Sequence, residues 1–153
     1  MILNRPRLIS TIGIFICSAF LAYVPGHLTA QSQGKCSLTV RVTGIRNTTG
    51  TIRVALRRDE NTVVEAREVA IDAKTLTAQT TFEKLADGTY GVSVMHDENK
   101  DGKLDKNEMG MPVEGYGHSN NPAKRAGPPS FDETKFNVSA PGTSIEINLI
   151  YWP

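Results

Sequence analysis

The sequence predicts an all-β fold, a two-sheet Greek-key sandwich of about seven strands with one long acidic and glycine-rich loop. Two observations carry this. In separate short runs between Leu38 and Tyr151, apolar residues recur at every second position, the period of a strand with one buried and one wet face. Clusters of Gly, Asn and Asp divide these runs at short intervals, as the turns of a sandwich require. A third observation is negative: no segment joins a helical period to helix caps, although Asp59 to Arg67 has room for a turn or two. A small outer-membrane barrel would also alternate, but it needs longer strands and two aromatic girdles, and aromatics are only 7% of the chain.

Leu38, Val40 and Val42 alternate with Thr39, Arg41 and Thr43 in the first strand, and Ile52, Val54 and Leu56 repeat the pattern in the second. The Asn47-Thr48-Thr49-Gly50 turn between them reads as the loop of an antiparallel pair. Val69 and Ile71 mark a third strand, and Leu76, Ala78, Thr80 and Phe82 a fourth. Asp87-Gly88 turns the chain into Tyr90, Val92 and Val94. After the long loop come Phe136 and Val138, then Ile145, Ile147, Leu149 and Tyr151.

The start of the chain sets the expected compartment. Arg5 and Arg7 precede an apolar run from Leu8 to Val24, and Leu28-Thr29-Ala30 supplies a small residue before Gln31, the plan of a secretory signal peptide. Residues 1–30 are therefore expected to be a cleaved leader, residues 31–36 a flexible tail and residues 37–153 one domain, periplasmic or secreted and without stable membrane insertion. Cys17 leaves with the leader, so Cys36 stands alone and no internal disulfide forms. A mature chain of about 120 residues is long enough to bury a core without staples. Seventeen Lys and Arg against sixteen Asp and Glu give no basic excess, which argues against nucleic acid as a partner.

Asp97 to Glu108 fills every specified position of the calcium-loop pattern D-x-[DN]-x-[DN]-G-x₅-E. Oxygens of Asp97, Asn99 and Asp101 converge on a hard cation in such loops, Gly102 takes the bend, Lys103 offers its carbonyl, and Asp105 and Glu108 close the shell. Without an ion the carboxylates repel, two of them about 4 Å apart by about 4 kcal/mol at an effective dielectric near 20. The solvated hairpin turn is the bland alternative; it explains the composition but not the register. The flanks are wrong for a helix-paired calcium sensor, because Tyr90 to His96 alternates as a strand and Met109-Gly110-Met111-Pro112 does not start a helix. A structural Ca²⁺ is the expected role.

The following stretch, Gly110 to Pro122, is rich in special residues. Tyr116, His118, Ser119, Asn120 and Asn121 form a candidate polar floor for a ligand, with Arg125 nearby for an anion; the alternative is that they tie down the loop's own backbone. His96 continues the buried face of Tyr90, Val92 and Val94 and is expected to cap the core. A zinc site from His96, His118 and Cys36 lacks any recognisable spacing, and adjacent His118 and Ser119 do not make a catalytic pair.

His96 to Asp105, Gly110 to Asn121, the opening Leu38-Thr39-Val40-Arg41-Val42-Thr43-Gly44-Ile45-Arg46-Asn47 and the later Gly127-Pro128-Pro129-Ser130-Phe131 together resemble an exported bacterial family of unknown function, number 2141. The resemblance covers Leu38 to Leu149. It implies an exported transthyretin-like or carboxypeptidase-regulatory-like sandwich and no established activity. It also implies an apolar residue where Glu108 stands and an aromatic where His118 stands. The functional expectation is a non-catalytic, cation-braced module presenting its loop to an envelope glycan or protein, with a small hydrolase using His96, His118 and nearby carboxylates as the alternative.

Overall fold

The structure, a computed structural model, describes residues 34–124 and 127–153. The expected leader and Arg125 lie outside the described residues. Eight strands and one short helix follow in order: β1 Cys36–Thr43, β2 Thr51–Arg57, β3 Val63–Val69, β4 Ala78–Leu85, β5 Gly88–Asp97, β6 Gly115–His118, α1 Phe131–Thr134, β7 Phe136–Val138 and β8 Gly142–Asn148. They form a sandwich of a three-stranded sheet, β4-β1-β8, and a five-stranded sheet, β3-β2-β5-β6, to which β7 adds by pairing with β5.

Alternation places the core between the sheets. Leu38, Val40 and Val42 of β1, and Ile52, Val54 and Leu56 of β2, are almost wholly buried, joined by Phe82, Tyr90, Val92, Val94 and Ile147. Each large apolar side chain so enclosed stabilises the fold by roughly 1.5–3 kcal/mol. Cys36, expected in a flexible tail, opens β1 and is buried, with its thiol donating to Asp87 Oδ1 at 2.8 Å.

β1 and β2 are not the antiparallel pair that their turn suggests. β1 pairs with β4 antiparallel and with β8 in parallel, whereas β2 pairs with β3 and β5 in the other sheet. Residues 44–50 are long enough to cross from one sheet to the other, and buried Ile45 anchors the crossing in the core. β3 also begins earlier than Val69 and Ile71 imply. It runs from Val63 through the segment that had room for helical turns. Its apolar periodicity is weak because it is an edge strand whose key residue is charged. Arg67 reaches β4 to donate to the Thr81 carbonyl at 2.6 Å and lies 4.8 Å from the Phe82 ring centroid, closing that side of the sandwich with a cation.

The sequence does not mark β6 as a strand. Its alternation is Gly-Tyr-Gly-His, in which the inward slots carry no side chain. The reason is close approach: a Cβ on Gly115 would collide with the Tyr151 ring, and one on Gly117 would lie 2.8 Å from Ile147 Cγ2. Gly117→Val is therefore expected to lower stability by about 2 kcal/mol or more, through overpacking. Urea unfolding of the variant against wild type measures it.

Candidate functional site

The outer face of the five-stranded sheet carries the site, and the register of β2, β5 and β6 sorts its side chains into rows. Arg53, Met95 and Tyr116 stand across from one another, and so do Ala55, Ser93 and His118. In the next row Arg57 faces Gly91. Bulky residues thus flank a row begun by the small Ala55 and Ser93, which leaves a hollow. The hollow is a cleft of about 350 Å³, near the lower end of the roughly 300–1,000 Å³ typical of small-molecule sites. Leu104, Lys106, Met111 and Pro112 of the acidic loop wall it on one side, and Gly127 and Pro128 on another.

The loop is tied together by its own hydrogen bonds. Asp97, wholly buried, accepts the amides of Asp101 and Gly102 at 3.1 and 2.9 Å, and Gly102 takes a left-handed φ of 82°. Asn99 Oδ1 accepts the Asp101 amide, and its Nδ2 donates to Asp105 Oδ2 at 2.9 Å. The Lys103 amide donates to Asp101 Oδ1 at 2.8 Å. Residues 105–113 then form a small hairpin, in which Val113 N–H donates to the Asp105 carbonyl and Asn107 N–H to that of Met111.

Glu108 lies exposed in the turn of this hairpin. The acid that returns beneath the loop is Glu114, only 3% exposed, which accepts the Glu98 amide at 2.8 Å and the Asp105 amide at 3.1 Å and so ties the two halves together. The sequence motif misses Glu114 because its twelve-residue spacing presumes an exiting helix, and here the chain comes back through a strand. Among the described residues, no three or more His, Cys, Asp or Glu side chains are gathered into a metal-holding group. Thr51 stands opposite Asp97 in the β2–β5 ladder, and its buried hydroxyl has no hydrogen-bond partner.

Of the candidate ligand loop, Tyr116 and His118 line the cleft. Tyr116 Oη accepts from Trp152 Nε1 at 2.8 Å. Ser119, Asn120 and Asn121 spend their polar atoms on backbone. Ser119 Oγ accepts the Val92 amide and donates to the Thr134 carbonyl. Asn120 Nδ2 donates to the carbonyls of Glu133 and Lys135, and Asn121 clamps β8 at Glu146 and Asn148.

His96 faces the core, on the opposite side of the sheet from His118. Its Nε2 lies 2.7 Å from the Thr49 carbonyl, which only accepts, so Nε2 carries the proton and Nδ1 takes the Tyr151 hydroxyl at 2.8 Å when the ring is neutral. Above them Arg46 grips Glu98 with two bonds of 2.7 and 2.6 Å, donates to the Val113 carbonyl and stacks 4.6 Å over Tyr151. Both ends of the acidic loop are fastened by this one guanidinium. It holds the Glu98 carboxyl below its ordinary range, chiefly through those hydrogen bonds, while burial pushes the Tyr151 phenol up.

A family model described as "Uncharacterized protein conserved in bacteria (DUF2141)" matches residues 40–146, which takes in the loop and the whole cleft. The chain belongs to this family. No curated protein and no solved structure matches the chain.

The Arg46–Glu98 clip gives this DUF2141 chain a pH signature. Because the carboxyl titrates lower when folded than when unfolded, its stabilisation is complete above the unfolded value near 4.5 and disappears as pH falls through the lower folded value. Thermal melts from pH 7 to pH 3 are expected to show wild type losing more stability below that point than Glu98→Gln, which starts lower at pH 7.

Proposed function

We propose that this DUF2141 chain is an exported, non-catalytic binding module of the bacterial cell envelope. It takes a small group, free or carried on an envelope glycan or protein, into the cleft between the outer sheet face and the acidic loop. The observation that carries this reading is the cleft itself: its floor is a register effect of Ala55 and Ser93, and its walls are loops held by dense hydrogen bonding. His96 and the Cys36 thiol are buried in the core, away from it.

A Ca²⁺ ion completes the reading as a brace for the loop wall. The donor chemistry fits a hard cation: carboxylates of Asp97, Asp101 and Asp105, the Asn99 amide oxygen and the Lys103 carbonyl, with Glu114 in the closing place that the motif gives to Glu108. Thr51 supports the fit, since a buried hydroxyl left unpaired costs about 1–3 kcal/mol and sits across the ladder from Asp97. The bound ion would neutralise the acids and hold the wall shut against the sheet.

Two experiments test the parts separately. Amide NMR with a collection of small organic fragments is expected to shift Ser93, Met95 and Tyr116, and Ala55→Trp, which fills the hollow, to abolish those shifts. Shifts scattered elsewhere, or undiminished in the variant, overturn the cleft. For the ion, millimolar calcium is expected to raise the melting temperature by about 5 °C over chelator. Glu114→Gln should remove more of that rise than Glu108→Gln. An unchanged melt and no calorimetric heat overturn it.

A further inference from the structure

The side chains around the cleft are lopsided in charge. Among the described residues, Arg53, Arg57 and Lys106 contribute to its lining, and no Asp or Glu does. The three cations are not equivalent. Arg53 Nη1 already stands 3.7 Å from Asp97 Oδ2 and 3.9 Å from Glu68 Oε2, so two carboxylates compensate its charge. Lys106 is exposed on the rim, where its charge steers more than it binds.

Arg57 differs from both. Its Nε donates to Ser93 Oγ at 3.3 Å and its Nη1 to the Glu60 carbonyl at 3.1 Å. Both acceptors are uncharged, so they orient the guanidinium without neutralising it. Opposite it, Gly91 adds no side chain, and α1 packs close there: a Cβ on Gly91 would lie 3.1 Å from Phe131 Cε2. Arg57 therefore stands at the junction of the cleft and a second hollow of about 230 Å³ beside α1, which shares Ser93, His118 and Pro128 with it. Asp59 and Glu60 line that hollow too, but among the described residues neither forms an ion pair with Arg57, and each turns an oxygen to backbone amides. Asp59 Oδ1 accepts the amides of Asn61 and Thr62, and Glu60 Oε1 accepts the Phe131 amide at 2.7 Å.

Beyond Arg57, next to the ion-paired Arg53, the cleft offers apolar surface. Met95 on the floor and Leu104, Met111 and Pro112 on the loop wall offer a flexible, sulfur-rich surface suited to an acyl chain or a ring. A site with an oriented guanidinium that holds no carboxylate at one end and apolar walls at the other discriminates for an acid group on an apolar body. We propose that the cleft binds a small amphiphilic organic anion, its carboxylate or sulfonate on Arg57 and its apolar part between Met95 and the Leu104–Met111 wall. This rests on the reading of the cleft as the binding site and adds the chemical class of its ligand.

The test uses the folded chain and 8-anilinonaphthalene-1-sulfonate as a fluorescent reporter, displaced in turn by octanoate, octanol and octylammonium. Octanoate is expected to displace it at a concentration about tenfold lower than octanol, the gain of one charge-assisted contact. Octylammonium should be weakest of the three. Arg57→Met should weaken the sulfonate reporter and erase the advantage of octanoate over octanol, and Ala55→Trp should abolish reporter binding. If octanol or octylammonium competes as well as octanoate, the anion class is overturned and the cleft stands. If the reporter does not bind, or binds Ala55→Trp equally, the cleft itself is overturned. The charge series on unaltered protein decides the ligand class even where Arg57→Met fails to fold.

Discussion

The register of β5 is the constraint on which both the core and the site depend. One strand pairs with β2, β6 and β7, and its two faces do unrelated work. Tyr90, Val92, Val94 and His96 point into the core, while Gly91, Ser93, Met95 and Asp97 build the outer face. A slip of one residue would exchange the two sets. It would put a carboxylate and a hydroxyl among the apolar residues and expose the valines where the cleft now lies. The core's preference for its own side chains thus fixes where Ser93 stands relative to Ala55 and Arg57, so the stability of the fold and the shape of the cleft share one cause.

What the sequence made legible follows from this parity. Alternation reveals which face a residue takes, so the all-β class, the inward rows of β1, β2 and β5 and the burial of His96 could all be read directly. Alternation does not reveal which strand lies beside which. The Asn47–Gly50 segment has the composition of a hairpin turn, yet residues 44–50 carry the chain between sheets, because buried Ile45 and the Leu149 amide bond to the Thr43 carbonyl hold it there. β6 carries no strand signal for a related reason. Its inward positions are glycines chosen for what they lack, and an absent side chain leaves no hydrophobic signal.

The cleft was the least legible feature. It is made by the small residues Ala55 and Ser93, brought side by side only by long-range pairing, and by Met95, Met111 and Arg57 from separate segments. The polar residues of the candidate ligand loop divide cleanly. Tyr116 and His118 project outward on β6, whereas Ser119, Asn120 and Asn121 follow the strand's end, and both asparagines take left-handed φ values of 65° and 46°. Chain ends of strands leave backbone groups unpaired, and short polar side chains meet that need first. Composition alone cannot separate the two uses.

The acidic loop shows the same limit on motif spacing. A calcium-loop pattern is a statement about where oxygens stand along a helix-flanked turn, and its last acid is brought in by the exiting helix. Here the segment after Asp105 folds into a hairpin and returns as β6, so the chain must travel six residues further before a carboxylate comes back under the loop. Glu114 is that residue, buried and bonded to the amides of Glu98 and Asp105, while Glu108 faces solvent. The first half of the motif is local and carries over intact to a β scaffold, because Asp97, Asn99 and Asp101 bend the backbone around themselves whatever follows. The second half is set by the scaffold, since only the return of β6 determines which acid closes the turn.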